Sequence, residues 1–242
     1  MIKELLLSRV LGSNSSGGST DEEEFIGVKL SNFRDDTYHL PMIADARSIS
    51  KMMTYANHFI FNNLFENKNP CSNGGGFVAL EEIYLPDGVS SITNTFKNCI
   101  SLKTIYGDLS NVTSINGSFT GCSSLLEVPY MPNVDYVYAN ALQNCVALTS
   151  FTFYKICLMV ANNAFNGCSN LTDVKIPQGW NLSLYLHYSE NLTQECLHKT
   201  IENFADNTGS DTSLILRIGE KNILKIDEEH LTMLDNKNIE YS

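Results

Sequence analysis

Apolar residues recur along the middle of the chain at an interval far longer than a helical turn or a strand alternation. Phe96-Lys97-Asn98-Cys99-Ile100-Ser101-Leu102 returns as Phe119-Thr120-Gly121-Cys122-Ser123-Ser124-Leu125. It returns again as Leu142-Gln143-Asn144-Cys145-Val146-Ala147-Leu148 and as Phe165-Asn166-Gly167-Cys168-Ser169-Asn170-Leu171. Phe96, Phe119, Leu142 and Phe165 stand 23 residues apart, as do the four cysteines. Three residues beyond each leucine comes Ile105, Val128, Phe151 or Val174. Apolar residues held at a fixed phase predict a chain that coils, stacking each turn's apolar positions on the last.

The pattern is worn at its start. Leu80, Ile83, Leu85, Val89, Ile92 and Phe96 fit the frame with one residue missing, and Phe61, Phe65 and Asn67 match Ile92, Phe96 and Asn98 at an offset of 31. Pro70 to Phe77, with Gly74-Gly75-Gly76, would supply the excess as a loop. Upstream, Phe25 to Leu30 alternates as a strand. Ile49, Met52, Met53, Ala56, Phe59, Ile60 and Leu64 recur at helical spacing behind Ser48 or Ser50, which predicts a capping helix. Met1 to Gly12 holds the apolar patch Leu5-Leu6-Leu7. Ser13 to Glu24 is Gly/Ser-rich and then acidic, the composition of an extended tether.

Beyond Trp180 the period fails. Leu192, Leu197, Ile201, Phe204 and Ala205 form a helical stripe behind Thr193 as N-cap, with Asn207-Thr208-Gly209 as its stop. Leu214 to Ile218 alternates as a strand, Asp227 heads a helix to about Leu234, and Ile239 to Tyr241 reads as a last strand. The open end of a coil stack exposes core and unpaired strand edge, so a lid is expected there.

The period falls in the range of leucine-rich solenoids, about 20–29 residues. The fold class expected is therefore α/β: a solenoid of 23-residue leucine-rich repeats with parallel strands on one face, closed by an α/β cap at each end. The expected organisation is an apolar segment and tether over 1–24, an N-terminal cap and degenerate first repeat over 25–79, repeats over 80–185 and a C-terminal α/β cap over 186–242.

The repeat Phe-x-x-Cys-x-x-Leu-x-x-Ile, with Leu85-Pro86 and Ile176-Pro177 after the strand, resembles the BspA-like class of bacterial leucine-rich repeats over roughly residues 61–180. Gly107 and Pro132 interrupt where that class has an apolar residue followed by Pro, and Leu142 replaces the Phe. The tail, through Ala205-Asp206-Asn207-Thr208-Gly209, Leu214-Ile215-Leu216 and Asn236-Lys237-Asn238, looks like the closing segment of some phage and prophage structural proteins. The Leu-rich start running into Gly/Ser looks phage-like too. These resemblances imply a non-enzymatic module that binds a protein partner or a host cell-surface ligand, within a phage or prophage particle assembled through residues 1–12. The alternative they imply is a bacterial cell-surface adhesin. They supply no catalytic residues.

Composition narrows the classes. The 242 residues are 43% hydrophobic and 18% charged, as in folded proteins. A net charge of −11 with no Lys/Arg cluster argues against nucleic acid as a partner. No stretch approaches the roughly 20 apolar residues of a membrane span. Leu5-Leu6-Leu7 meets Arg9 too soon for a Sec-type signal peptide, and seven cysteines is an odd number for a secreted disulfide framework. The expected location is the virion or the cytoplasm of the producing cell.

Candidate chemistry is sparse. Coils about 4.8 Å apart put the in-phase cysteines within disulfide reach. However, a ladder strings its sulfurs along a line, whereas tetrahedral zinc gathers four around a point. Buried thiols are the expectation. His39, His58, His187, His198 and His230 show no metal spacing. His198, Glu202, Asp206 and His230 are loose candidates for a titratable pocket, with no nucleophile–base–orienter set. No enzymatic activity, metal or cofactor is expected. If Ile83, Ile105, Val128, Phe151 and Val174 point inward, their strand neighbours point outward. The candidate binding face is then Glu82, Tyr84, Thr104, Tyr106, Glu127, Thr152, Asp173 and Lys175, with Ser150 and Pro129 in the same columns. Its acidic first column favours a basic or sugar ligand.

Deleting residues 1–20 is expected to leave the melting of the repeats nearly unchanged, because the tether uncouples the segment from any core. If the segment serves assembly, the same deletion abolishes particle incorporation or self-association seen by light scattering.

Overall fold

A computed structural model describes residues 81–85 and 88–242, together with the backbone of strands Gly27–Leu30, Ser48–Ile49, Lys51–Thr54 and Phe59–Ile60. The apolar segment and tether of residues 1–24 lie outside the described residues, as do Cys71 and the Gly74–Gly76 run.

The coils repeat three sides. The first is a short strand, the second another, and the third a run of tight turns. On the first side Glu82–Tyr84 lies parallel to Thr104–Tyr106 with Ile83 opposite Ile105, and Ser150–Thr152 lies parallel to Asp173–Lys175 with Phe151 opposite Val174. On the second, Ser114–Ile115, Tyr136–Val137 and Met159–Val160 form one parallel sheet. On the third, the backbone turns back on itself, as where Cys99 N donates to Phe96 O and Leu102 N to Cys99 O. Amides there also donate across coils: Phe96 N to Ser118 O, Phe119 N to Ala141 O, and Leu142 N to Ala164 O.

This closure puts each Phe/Leu, Cys and Leu position of the repeat into one continuous core. Phe96 and Phe119 stack with ring centroids 5.8 Å apart. Leu142 ends that stack, and Phe165 meets Phe151 edge-on instead, at 5.1 Å.

The tight turns take left-handed backbone at two positions in three of the coils and at one in the coil of Phe165. Asn98, Gly121, Asn144 and Gly167 occupy one, all at positive φ, and Asn94, Gly117 and Asn140 the other. Asn and Gly tolerate this region best. They also alternate for a packing reason, since a Cβ on Gly121 would stand 2.5 Å from Asn98 Oδ1, and one on Gly167 would stand 2.4 Å from Asn144 Oδ1.

The expected capping helix over Ile49 to Leu64 is not what forms. Ser48–Ile49 joins the first strand column opposite Glu82 and Ile83, Lys51–Thr54 pairs with Gly27–Leu30, and Phe59–Ile60 pairs with Val89–Ser91. All the described residues of the expected α/β N-terminal cap are strand. The apolar spacing suited a helix, but an unpaired strand edge beside the segment recruits its backbone, and pairing overrides local period. Ile60 faces Ser91 at the offset of 31 seen between Phe61 and Ile92.

After Trp180 the architecture changes. Helix α1, Gln194–Asn203, begins at Thr193, whose Oγ1 accepts from Cys196 N at 3.1 Å. It stops at Asn203, ahead of the Asn207-Thr208-Gly209 turn expected to end it, because Phe204 turns extended and bridges Trp180. Leu184–Tyr185, Leu214–Arg217 and Ile239–Tyr241 form a parallel three-stranded sheet. The short helix α2, Glu220–Ile223, and α3, Glu228–Asn236 behind Asp227, complete the chain. Helix α1 meets the edge of Asp173–Lys175: Val174 N donates to Cys196 Sγ at 3.1 Å, and Thr200 Oγ1 donates to Val174 O at 3.5 Å. Lys237 Nζ donates to Ile201 O, Glu202 O and Phe204 O at the C-terminal end of α1, where helix carbonyls lack their full set of amide partners.

Leu148→Ala is expected to cost about 2–5 kcal/mol in urea unfolding, as a large-to-small change in a packed core. Gly167→Ala is expected to cost about 1–3 kcal/mol through backbone strain and the clash with Asn144. In an Asn144→Gly background the clash with Oδ1 disappears and only the close approach to backbone remains, so the loss from Gly167→Ala should shrink. Equal losses in both backgrounds would show that Asn144 does not set the packing.

Candidate functional site

The strand side presents the columns expected to face outward. Tyr106 (40% exposed), Glu127 and Lys175 are exposed, while Glu82, Thr104, Ser150, Thr152 and Asp173 are half-buried. Tyr84 sits in register with Tyr106 by its backbone. Lys175 Nζ lies 3.3 Å from Asp173 Oδ2, so those two candidate residues satisfy one another.

The face is not one uniform row. Between Thr104–Tyr106 and Ser150–Thr152 the intervening coil forms no strand on this side, and only Glu127 bridges to Ser150. Pro129 has no N–H to give to the ladder at this step. The frame slips there. At the next inward position Leu85, Phe153 and Ile176 are buried, but Tyr130 turns out at 58% exposed and Met131 goes into the core instead.

That slip builds a corner the repeat frame did not foretell. Tyr130 and Tyr154 meet edge-to-face at 4.7 Å, and Ile156 and Leu158 are exposed close by in sequence. Lys155 pairs with Asp135, and beside Asp135 the rings of Tyr136 and Tyr138 stack at 5.8 Å, both exposed. A shallow, mostly apolar depression opens here, lined by Val128, Pro129, Met131, Phe151, Thr152 and Tyr154 among others. Of the outward columns read from sequence, Thr152 and Pro129 line it. Clustered tyrosines and aliphatics with a buried apolar floor are the composition of protein-binding anchors. The sequence signal for it was the interruption at Gly107 and Pro132, which marks where the coil leaves its frame.

The cysteines belong to the core. Cys122 Sγ donates to Phe96 O at 3.0 Å, Cys145 Sγ to Phe119 O at 3.1 Å, and Cys168 Sγ to Leu142 O at 3.1 Å. Each of these carbonyls already accepts the amide of its own turn, so the thiol fills a second lone pair inside an apolar core. All six described cysteines are free and buried. Burial pushes the Cys168 thiol up to about 12 and Cys157 up to about 11, and raises Cys122 and Cys145 as well.

A second cluster sits between α1 and α3. The His198 and His230 rings stack with centroids 3.7 Å apart. Asp227 Oδ1 accepts from His230 N at 2.9 Å and lies 2.6 Å from His230 Nδ1. Its other oxygen is 3.5 Å from His198 Nε2, and Glu202 Oε1 is 3.6 Å from His230 Nε2. The His230 amide and ring hold the Asp227 carboxyl below the ordinary range, and Lys199 does the same to Glu202. The structure thus unites three of the four loosely expected groups and adds Asp227. Asp206 is elsewhere, accepting from Thr208 N in its own turn. Among the described residues no helix is long and apolar enough to cross a membrane.

The sequence matches the BspA type leucine-rich repeat region, described with six copies, over residues 76–118 and 93–215. The fold is similar to the crystal structure of a T. pallidum leucine-rich repeat protein, at 13% identity and a TM-score of 0.57, covering 93% of this chain and 94% of that one. At that identity the likeness is one of fold. No curated protein matches the sequence.

Because burial raises the thiol pKa values, the cysteines stabilise the fold below the unfolded thiol value of about 8.5. As pH climbs past it, the unfolded chain releases protons that the folded chain keeps. Stability therefore falls, until pH reaches the folded values of about 11 and about 12. Urea midpoints should decline over this window, and less steeply in Cys168→Ala. Thiol titration should find the four ladder cysteines unreactive when native and reactive after denaturation without reductant.

Proposed function

Since the chain belongs to the BspA-type leucine-rich repeat family, we propose that it is a non-enzymatic interaction module whose docking surface is the tyrosine-rich corner and the strand face beside it. The observation that carries this reading is the exposure of Tyr130, Tyr154, Ile156 and Leu158 at the point where the strand column breaks. Exposed apolar residues scattered singly mean little, but a pair of exposed tyrosines in contact at the rim of an apolar depression is what a binding surface presents. The partner that fits is a protein with an apolar, aromatic-compatible patch. A purely ionic ligand fits less well, because Asp173 is paired with Lys175 and Asp135 with Lys155.

For the setting, a bacterial cell-surface adhesin agrees with the family. The phage or prophage particle is the second setting. It rests on the character of the Leu192–Tyr241 segment and of residues 1–12, and draws no support from the repeats.

The test places a photo-crosslinking amino acid at Tyr130 or Tyr154, with Lys97 on the turn side as the comparison, and identifies the crosslinked protein by mass spectrometry. Crosslinks are expected from the two tyrosine positions and not from Lys97. With that partner in hand, a Tyr130→Ser/Tyr154→Ser double variant should lose at least about 2 kcal/mol of binding, the scale of a hot spot, with its melting temperature nearly unchanged. Crosslinks from the turn side, or unchanged binding by the double variant, would overturn this surface.

A further inference from the structure

The stacked histidines between α1 and α3 are only partly accounted for by hydrogen bonds, which hold His230 and leave His198 Nε2 without one. His198 and Glu202 lie four residues apart on α1 and so share one face of it. Asp227 is the N-cap of α3 and His230 lies in its first turn. Two helices thus bring two imidazoles and two carboxylates to one place. His198 Nε2 is sealed from solvent with no hydrogen-bond partner, and the His230 side chain is 10% exposed. A polar nitrogen sealed in this way costs stability unless something binds it.

Asp227 Oδ1 bonds His230 directly, but the approach of Asp227 to His198 has the spacing of shared coordination. His198 Nε2 to Asp227 Oδ2 is 3.5 Å, too long for a good hydrogen bond. A tetrahedral ion with bonds of about 2.0–2.2 Å holds its ligands roughly 3.3–3.5 Å from one another. Ligand atoms of His198, Asp227 and His230 all fall within 4.8 Å of one another. Glu202 Oε1, 3.6 Å from His230 Nε2, stands on the far side of that ring as the outer support of a metal-binding histidine, which leaves Nδ1, on the Asp227 side, as the ligand atom. Lys199 holds the far oxygen of Glu202 at 2.7 Å and leaves Oε1 turned to His230.

We propose that His198, His230 and Asp227, with Glu202 beside them, form a zinc-binding site that clamps α1 to α3. Two imidazole nitrogens select a borderline ion such as zinc over magnesium or calcium. The rings are within 10° of parallel, so their lone pairs lie in separate, parallel planes. Binding turns one ring, and His198 is the ring free to turn, since Asp227 holds His230. The site stands apart from the tyrosine-rich corner and does not depend on how that corner is used.

The test uses the full chain, stripped with chelator, reduced, and titrated with zinc chloride by calorimetry, with magnesium chloride as control. One equivalent of zinc should bind, the melting midpoint should rise with zinc concentration, and magnesium should do neither. His198→Gln and His230→Gln should each weaken zinc binding by at least about tenfold, whereas His187→Gln should leave it unchanged. Melting in chelator reports whether the variants fold. In the wild type, independently of any variant, zinc should protect His198 and His230 from diethylpyrocarbonate, as located by mass spectrometry. No zinc heat, or zinc binding that neither protects these histidines nor responds to their loss, would overturn the site.

Discussion

Every other feature of the repeats follows from the hydrogen bonds between successive coils. Each coil's amides reach the carbonyls of a neighbouring coil on all three sides, as Leu85 N does to Tyr106 O, Tyr138 N to Ile115 O and Phe119 N to Ala141 O. With strands held about 4.8 Å apart, the chain must return equivalent atoms to equivalent places at each turn. Columns of identical side chains are the consequence, and a column in the interior must consist of groups that tolerate their own copies above and below. Phenylalanine does so by stacking and leucine by interdigitation. Cysteine does so through a small thiol that donates to a carbonyl of the preceding coil while exposing no polar atom.

The same regularity explains what could be read from sequence. A column is visible as a period, so Phe96, Cys99 and Leu102 with their copies revealed the core, and the inward phase of Ile83, Ile105, Phe151 and Val174 followed. Helices α1 and α3 were legible through Thr193 and Asp227, whose caps are local in sequence. The N-terminal strands were not, because Ile49 and Phe59 follow the pairing offered by Glu82–Ile83 and Val89, which no local pattern encodes.

The surface was legible only in part, for a related reason. Alternation predicts which residues point out but not where the column slips, so Tyr106, Glu127 and Lys175 were foreseen as outward while Tyr130 and Tyr154 were not. The histidine pair was hidden by sequence distance. His198 and His230 lie on different helices, and their meeting depends on how α3 docks on α1, which Lys237 secures by donating to the α1 carbonyls.

The Asn and Gly positions of the tight turns give the array a grain coarser than its visible period. Along Asn98, Gly121, Asn144 and Gly167, each asparagine occupies the room its glycine neighbour leaves empty. Where asparagine follows asparagine, at Asn140 and Asn163, the two side chains hydrogen-bond at 3.1 Å and only Asn140 keeps a positive φ. A gene rearrangement that excised one coil would bring Asn98 against Asn144, whereas excision of two in tandem would preserve the alternation. Along this one column, growth or loss in steps of two coils keeps every glycine beside the asparagine that fills its space.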